Sequence, residues 1–314
     1  MRKLFLTFDT EDFISDNSIW VLKKILEGLK EHALEAIFFI TGHMAERLQE
    51  FEDVVDLLNE HQIGFHSSSH SVHPTIFEFT DVESYEEAYK TSLCRETAHI
   101  NPLSGEIEGK GGILALRASF PKKKIRSFRA PGHCWTPPHL EALRTLGVDL
   151  DFSASISRNN AVNFKGITFY PYPIMGQWTG SKLGYRNLLI ALLSRKLSIL
   201  TIHPSLLVNK TEWDAIYFGD NPNELTPPPA RGLSETRHLL RTFDLLLNQI
   251  SHLKRMHIIE TTPTFESPNR DLSIGKFNLK KCYRRSMQWA IQQKYRPNYH
   301  MNHFRRFFEL SPST

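Results

Sequence analysis

The stretch KLFLTFDTED, residues 3–12, decides the fold that this chain of 314 residues is expected to adopt. Its first six residues form a short apolar run that ends in acids, which is typical of a buried strand whose C-terminal end carries chemistry. Similar short runs recur along the chain and alternate with segments of helical periodicity, such as residues 18–32. This alternation continues to about residue 265 and predicts an α/β fold of parallel βαβ units, either an open sheet or a barrel.

Groups with catalytic potential follow the ends of several predicted strands. Both βαβ architectures place the active site at the carboxyl ends of the strands, so these groups are expected to meet. The residues concerned are Asp9, Glu11, Asp12, His66, His70, Arg129, Asp151 and His203.

The segment GFHSSSH, residues 64–70, holds two histidines four residues apart. Such a pair can supply two ligands to one metal ion from a single turn of chain. A metal hydrolase also needs a further ligand, a base for water and an acid for the leaving group. The acidic cluster after the first strand can supply a ligand and a base. Arg129 could keep that base ionised, and His203 could be the acid.

Four segments, LTFDTED, GFHSSSH, SFRAPG and LTIHP, occur in the order and at roughly the spacing found in the NodB-homology polysaccharide deacetylases, carbohydrate esterase family 4. The resemblance covers about residues 3 to 262. It implies a distorted (β/α) barrel of that type, here followed by a C-terminal helical extension. It also implies removal of acetyl groups from sugars with a divalent metal, usually Zn²⁺, with Co²⁺, Ni²⁺ or Mn²⁺ as alternatives.

Carried over by position, the resemblance implies a role for each motif residue. Asp9 matches the base, and the two histidines of GFHSSSH match two metal ligands. Arg129 matches the arginine that orients the base, and His203 matches the acid. Asp151 matches a less sharply defined aspartate motif and is included among the catalytic residues.

The third metal ligand is assigned from the acidic cluster. The commonest family pattern has two adjacent aspartates, the second of which binds metal, but Thr10 occupies that position here. The chain resembles a subgroup with Asp-x-Glu-Asp, in which the carboxylate two residues on takes the metal. Because residues i and i+2 of a strand point the same way, Glu11 can share a site with Asp9. Glu11 is therefore the expected ligand, and Asp12 is the alternative.

Three aromatic residues are candidates for sugar binding. Trp135 lies near the arginine motif, and Tyr170 and Tyr172 lie in the segment TFYPYPIMGQW, residues 168–178. Aromatic faces stack on sugar rings, but packing in the core is an equally weighted alternative.

Composition and charge divide the chain into a body and a tail. A chain with 40% hydrophobic and 23% charged residues is of ordinary globular type. Its three cysteines form no CxxC pair, which favours a reduced compartment. A catalytic domain is expected at residues 1–268 and a basic helical extension at 269–314. The segment from Ser273 onward carries a net charge of +8 and could contact anionic lipid or pack against the acidic body.

These interpretations predict a cytoplasmic, metal-dependent N-deacetylase of acetamido sugars in glycan or surface polysaccharide biosynthesis. The acetylated substrate could be a polysaccharide, a sugar nucleotide or a lipid-linked glycan, and no nucleic-acid partner is expected. One alternative is an amidase or deformylase acting on a non-sugar amide. Another is a catalytically silent glycan-binding module, which would be expected to have lost some of four motif residues, whereas all four are present: Asp9, His66, His70 and His203.

Overall fold

One large, mostly parallel sheet organises the chain. The computed structural model describes residues 2–153, 160–171, 173–175, 190, 194–265, 279–292 and 294–309. In this part of the chain the large sheet has ten strands, and a separate hairpin has two. The architecture is therefore α/β, as the alternation of strand and helix in the sequence predicts.

Twelve strands have the following bounds, in chain order. They are β1 (Arg2–Thr10), β2 (Ala36–Ile40), β3 (Gln62–Phe65), β4 (Ala98–Ile100), β5 (Ile107–Lys110), β6 (Ser127–Phe128), β7 (Leu150–Asp151), β8 (Val162–Phe164), β9 (Ile167–Phe169), β10 (Ile174–Met175), β11 (Leu197–Ile202) and β12 (Ile259–Glu260). The hairpin is β4–β5. The spatial order of the large sheet is β10-β11-β1-β2-β3-β6-β7-β9-β8, and β12 also pairs with β1.

Ten α-helices connect and cover these strands in the described residues. They are α1 (Asp16–Glu31), α2 (Gly42–Leu48), α3 (Glu52–Leu58), α4 (Ile76–Thr80), α5 (Tyr85–Glu96), α6 (Ile113–Ser119), α7 (Pro137–Thr145), α8 (Leu233–Arg255), α9 (Leu279–Gln292) and α10 (His300–Glu309). Short 3₁₀ turns occur at Pro131–His133, Pro204–Leu207 and Trp213–Tyr217. None of the described helices has the length and apolar character needed to cross a bilayer.

Strand β1 lies inside the sheet, and both of its faces are buried. Leu6 and Phe8 belong to the main core, which the helices cover, whereas Phe5 belongs to a smaller cluster on the opposite face. Because side chains alternate along a strand, Thr7 and Asp9 lie on the same face as Phe5. This alternation directs the Asp9 carboxylate away from the main core.

The pairing of the strands decides which residues can meet. Every pairing in the large sheet is parallel except that of β8 with β9. The carboxyl ends of β1, β3, β6, β7 and β11 therefore lie at one edge. The sheet curls as a half-barrel, and no pairing in the described residues joins β8 to β10. The distorted barrel expected from the sequence is thus an incomplete one.

The C-terminal helices pack against the body of the protein. The ring of Trp135 stacks on that of Phe304 in α10, with centroids 5.4 Å apart. Asp81 accepts a hydrogen bond of 2.6 Å from the Tyr295 hydroxyl and one of 2.7 Å from the backbone N–H of Tyr299. Of the two arrangements predicted for the basic tail, packing on the body is the one observed.

Candidate active site and metal centre

The motif residues predicted from the sequence gather at the carboxyl edge of the curled sheet. Each lies at or just beyond the end of a parallel strand, so the topology brings together segments that are up to about 190 residues apart in the chain. The residues at this edge are Asp9, Glu11, His66, His70, Arg129, Asp151 and His203. All of them except His203 are buried.

Glu11, His66 and His70 form a compact cluster of potential metal ligands. Glu11 Oε2 lies 3.0 Å from Nε2 of His66 and 2.8 Å from Nε2 of His70. One ligand atom from each residue lies within 4.8 Å of the other two, and no other such group occurs in the residues that the structure describes. The cluster is the one that the sequence predicts.

Hydrogen bonds at Nδ1 orient both imidazoles toward the cluster. His66 Nδ1 donates to the backbone carbonyl of Arg129 at 2.6 Å. His70 Nδ1 lies 2.6 Å from the hydroxyl oxygen of Ser71. A bond at Nδ1 fixes the proton there and leaves the Nε2 lone pair for a ligand, which is the common second-shell arrangement in metal sites.

The chemistry of this cluster fits a divalent cation. Burial disfavours the charged forms of Glu11 and His70, but the attraction between the carboxylate and the imidazolium is stronger. The pKa of Glu11 is therefore well below its ordinary value, and that of His70 is raised to about 9. Two Nε2 lone pairs facing one carboxylate need a positive centre between them, either a proton or a metal ion. Two imidazoles and a carboxylate are a set found in catalytic zinc sites and suit transition metals better than Mg²⁺.

Asp12, the alternative ligand, lies in a different hydrogen-bond network. Its Oδ1 accepts two backbone N–H groups just before α1, each at 3.1 Å. Its Oδ2 accepts bonds from the Ser18 hydroxyl at 2.5 Å and from Nδ2 of Asn209 at 3.0 Å. These bonds occupy the carboxylate at the start of α1, and the geometry favours Glu11 as the third ligand.

Asp9 and Arg129 form a buried ion pair beside the cluster. Arg129 Nη1 donates to Asp9 Oδ1 at 2.6 Å and to the Thr7 hydroxyl at 2.9 Å. The guanidinium also lies 4.3 Å from the centroid of the Phe39 ring. Burial raises the pKa of Asp9, but the positive charge of Arg129 and of nearby histidines outweighs this, so the pKa is lowered. Asp9 is therefore held ionised.

His203 lies on the open side of this pair. Its Nε2 is 3.7 Å from Asp9 Oδ2, and its side chain is 15% exposed, whereas that of Asp9 is 2% exposed. The residue directly precedes the 3₁₀ turn Pro204–Leu207 at the end of β11. An imidazole at this position can reach both the base and a molecule that approaches from solvent.

Asp151 supports the backbone next to the arginine. Its Oδ1 accepts a bond of 2.8 Å from the Ser153 hydroxyl, and its Oδ2 accepts the backbone N–H of the same residue at 3.2 Å. The Ser153 hydroxyl in turn accepts the N–H of Ala130 at 2.7 Å. These bonds connect Asp151 to the residue that follows Arg129.

The aromatic residues suggested for sugar binding need correction. Trp135 is 3% exposed and packs among Phe304, Phe307 and Phe169, and Tyr170 is 2% exposed and stacks on a neighbouring phenylalanine. Both rings are core residues, because later parts of the chain cover them. Tyr172 lies outside the described residues.

Sequence reasoning missed two buried carboxylates near the cluster. Glu96 accepts the backbone N–H of Ser68 at 2.8 Å and contacts Nε2 of His139 at 2.6 Å, so it supports the serine run between the two ligand histidines. Asp214 accepts a bond of 2.5 Å from the Ser71 hydroxyl. Neither acid belongs to a recognisable motif, and each lies in an ordinary-looking segment, so the sequence carries no signal for them.

Comparison with known proteins gives a family match for the first half of the chain. A family model described as polysaccharide deacetylase matches residues 1–150. This range includes the segments that carry Asp9, Glu11, His66, His70 and Arg129. No curated protein sequence matches the chain.

Several solved structures resemble the chain at low identity. A family 4 carbohydrate esterase from Streptococcus mutans is 15% identical, with a TM-score of 0.43 over 83% of this chain and 85% of that one. One from Streptomyces lividans, in complex with acetate, is 12% identical, with a TM-score of 0.42 over 84% and 93%. A family 4 pseudoenzyme from Bacillus anthracis is 14% identical, with a TM-score of 0.34 over 65% and 55%. The chain spans 55 to 65% of the length of the pseudoenzyme chains that it matches.

Proposed function

We propose that this chain, which belongs to the polysaccharide deacetylase family through residues 1–150, is a metal-dependent hydrolase that removes the N-acetyl group of an acetamido sugar. The observation that carries the proposal is the convergence of Glu11, His66 and His70 beside the buried pair of Asp9 and Arg129. A metal cluster, a base held ionised and a partly exposed imidazole are the parts that amide hydrolysis requires.

The three residues Glu11, His66 and His70 would hold the cation. A divalent metal there supplies a Lewis acid for the acetyl carbonyl and for the attacking water. Because Asp9 Oδ1 is bonded to Arg129, Asp9 Oδ2 is the atom that accepts the proton from water. As the water oxygen bonds to the carbonyl carbon and the carbon–nitrogen bond breaks, His203 Nε2 donates a proton to the departing amine. Acetate and a free amino sugar are the products.

The family match supports an acetylated carbohydrate as the substrate, and the form of that carbohydrate is a separate proposal. The burial of Trp135 and Tyr170 removes the aromatic argument for a sugar-stacking cleft. The preference for a sugar over another amide therefore rests on the family match. We place the activity in glycan or surface polysaccharide biosynthesis in the cytoplasm, with a polysaccharide, a sugar nucleotide or a lipid-linked glycan as the forms to be tested.

The catalytic residues that the chain retains argue against the alternative of a catalytically silent glycan-binding module. Arg129 lies within hydrogen-bond distance of Asp9, and His203 lies within 3.7 Å of it, next to a complete ligand cluster. A module that only bound glycan would not require a buried ion pair aimed at the ligand cluster.

The proposal is tested by acetate release combined with metal analysis. The full chain is offered acetylated polysaccharides, acetamido sugars, sugar nucleotides and simple non-sugar amides, before and after chelation and metal return. Asp9→Asn is the inactive variant, and Asp56→Asn, the same change at an exposed position of α3, is the control. Acetate release that needs both metal and Asp9 supports the proposal. A metal-loaded parent that hydrolyses none of the carbohydrates overturns it.

A further inference from the structure

A buried chain of hydrogen bonds runs from one ligand histidine to a distant carboxylate. His70 Nδ1 lies 2.6 Å from Ser71 Oγ, and Ser71 Oγ lies 2.5 Å from Asp214 Oδ2. The direct distance from His70 Nδ1 to Asp214 Oδ2 is 3.6 Å, so the serine hydroxyl mediates the contact. All three side chains are buried, and 143 residues separate the serine from the aspartate.

The direction of these bonds follows from the number of protons available. A serine hydroxyl has one proton, and the carboxylate of Asp214 has none to give when ionised, so Ser71 donates to Asp214. The hydroxyl oxygen can then only accept from His70, whose proton must be on Nδ1. Because the Nδ1 position keeps its proton, Nε2 is the atom that faces Glu11 Oε2, 2.8 Å away, and it can exchange its own proton for a cation.

The segment that carries Asp214 also packs against the same imidazole. The ring of Trp213 lies 5.4 Å from that of His70, at an interplanar angle of 60°. Trp213 is buried and also packs against Phe13 and Tyr217. The 3₁₀ turn that begins at Trp213 therefore restrains His70 in two ways, by ring packing and by the hydrogen bond through Ser71.

The two ligand histidines differ in what orients them. His66 donates Nδ1–H to a backbone carbonyl, that of Arg129, which no substitution removes. His70 depends on two side chains, Ser71 and Asp214. Only the second arrangement can be dismantled by mutation, and this makes it testable.

We propose that Asp214 is a positioning residue that acts through Ser71 to set the orientation and the tautomer of the ligand His70. This inference rests on the proposed function, because it concerns a cation held by Glu11, His66 and His70. Loss of such an outer partner of a metal-bound histidine typically weakens metal binding about 10- to 100-fold.

The inference is tested by measuring the zinc affinity of the full chain in competition with a chelator. The absorption spectrum of the cobalt-substituted protein reports the geometry of the ligands. Asp214→Asn and Ser71→Ala should each weaken zinc binding about 10- to 100-fold and alter the cobalt spectrum. Ser71→Thr, which keeps the hydroxyl, should restore most of the affinity that Ser71→Ala loses. The Ser71 variants leave the charge of Asp214 in place, so they separate positioning from simple attraction between the carboxylate and the cation.

Asp81→Asn is the matched control, because Asp81 is also a well-buried carboxylate with several hydrogen bonds but bonds to the C-terminal segment. It should lower the melting temperature and leave zinc affinity unchanged. Zinc binding by Asp214→Asn and Ser71→Ala that equals the parent's overturns the inference, as does an equal loss in Asp81→Asn. If Asp214→Asn does not fold, Ser71→Ala and Ser71→Thr decide. A parent chain that binds no zinc or cobalt at all refutes the metal site itself.

Discussion

Asp9 Oδ1 and Arg129 Nη1 lie 2.6 Å apart in a part of the protein from which solvent is almost absent: the two side chains are 2% and 0% exposed. Removing one partner from such a pair leaves an uncompensated buried charge, whereas removing both does not. The pair thus contributes to stability and to the proposed chemistry through the same contact, and the two contributions can be measured separately.

The single variant Arg129→Gln should lose about 3 to 5 kcal/mol of unfolding free energy, because Asp9 is left charged and buried. The double variant Asp9→Asn with Arg129→Gln should recover part of that loss. Chemical denaturation of the parent, both single variants and the double variant gives the coupling energy. Additive losses in the double variant would show that the two groups do not stabilise each other.

Substitutions in the acidic cluster should separate metal binding from proton transfer. Glu11→Ala should remove metal and activity together, because it deletes a ligand. Asp9→Asn should keep the metal and lower turnover on the order of 100- to 10,000-fold, the usual contribution of a general base. Metal content and acetate release are measured on the same preparations. If Asp12→Ala is the variant that loses metal, the third ligand is Asp12.

His203→Ala should keep the metal and slow turnover sharply, because the leaving amine needs a proton. The pH–rate profile of the variant should also differ from that of the parent. Metal content is the internal control. An unchanged rate would remove His203 from the mechanism, and the source of the proton would have to be sought elsewhere.

Acidification should destabilise the protein through His61. Burial against the apolar core lowers the pKa of His61 to about 4, below its ordinary value of 6.5. The unfolded chain therefore binds a proton that the folded chain does not, and stability is lost as the pH falls from about 6.5 toward 4. The shift corresponds to on the order of 3 kcal/mol. In urea denaturation across this range, His61→Leu should show a shallower loss than the parent. Parallel curves would assign the acid sensitivity to other groups.

The packing of the C-terminal helices predicts that Phe304 is a core residue. Phe304→Ala should lower the free energy of unfolding by about 3 to 5 kcal/mol, because it opens a cavity beside Trp135. Tyr299→Ala, in the same segment but with a side chain that is 37% exposed, should stay within about 0.5 kcal/mol of the parent. Similar stabilities for both variants would mean that α10 contributes little to the folded body.

The sequence predicts those parts of the site that lie next to strongly patterned strands. The apolar run of β1 and the strand-like residues before GFHSSSH locate Asp9 and His66, because strand ends of parallel βαβ units must meet. The preference for Glu11 over Asp12 follows from the two-residue period of a strand, and the structure places Glu11 at the histidines.

Other features depend on contacts that no local pattern encodes. Trp135 has the same sequence surroundings whether it faces a cleft or is covered by a helix, and the covering residue, Phe304, lies far along the chain. The local sequence around Asp214 and Glu96 does not distinguish them from other acidic residues. Their position beside the ligand histidines results only from contacts with side chains that are distant in the sequence. The environment of these side chains is set by contacts between distant parts of the chain, and not by local secondary-structure propensity.

Arg129 serves both halves of the site through different atoms. Its guanidinium contacts the base, and its backbone carbonyl accepts the Nδ1 proton of His66. A side-chain substitution at this position removes the first contact and preserves the second. A chain with a different residue at position 129 could therefore remain fully loaded with metal while its turnover is lost. Occupancy of the metal centre is for this reason a poor guide to whether a naturally diverged copy of this protein is still an enzyme.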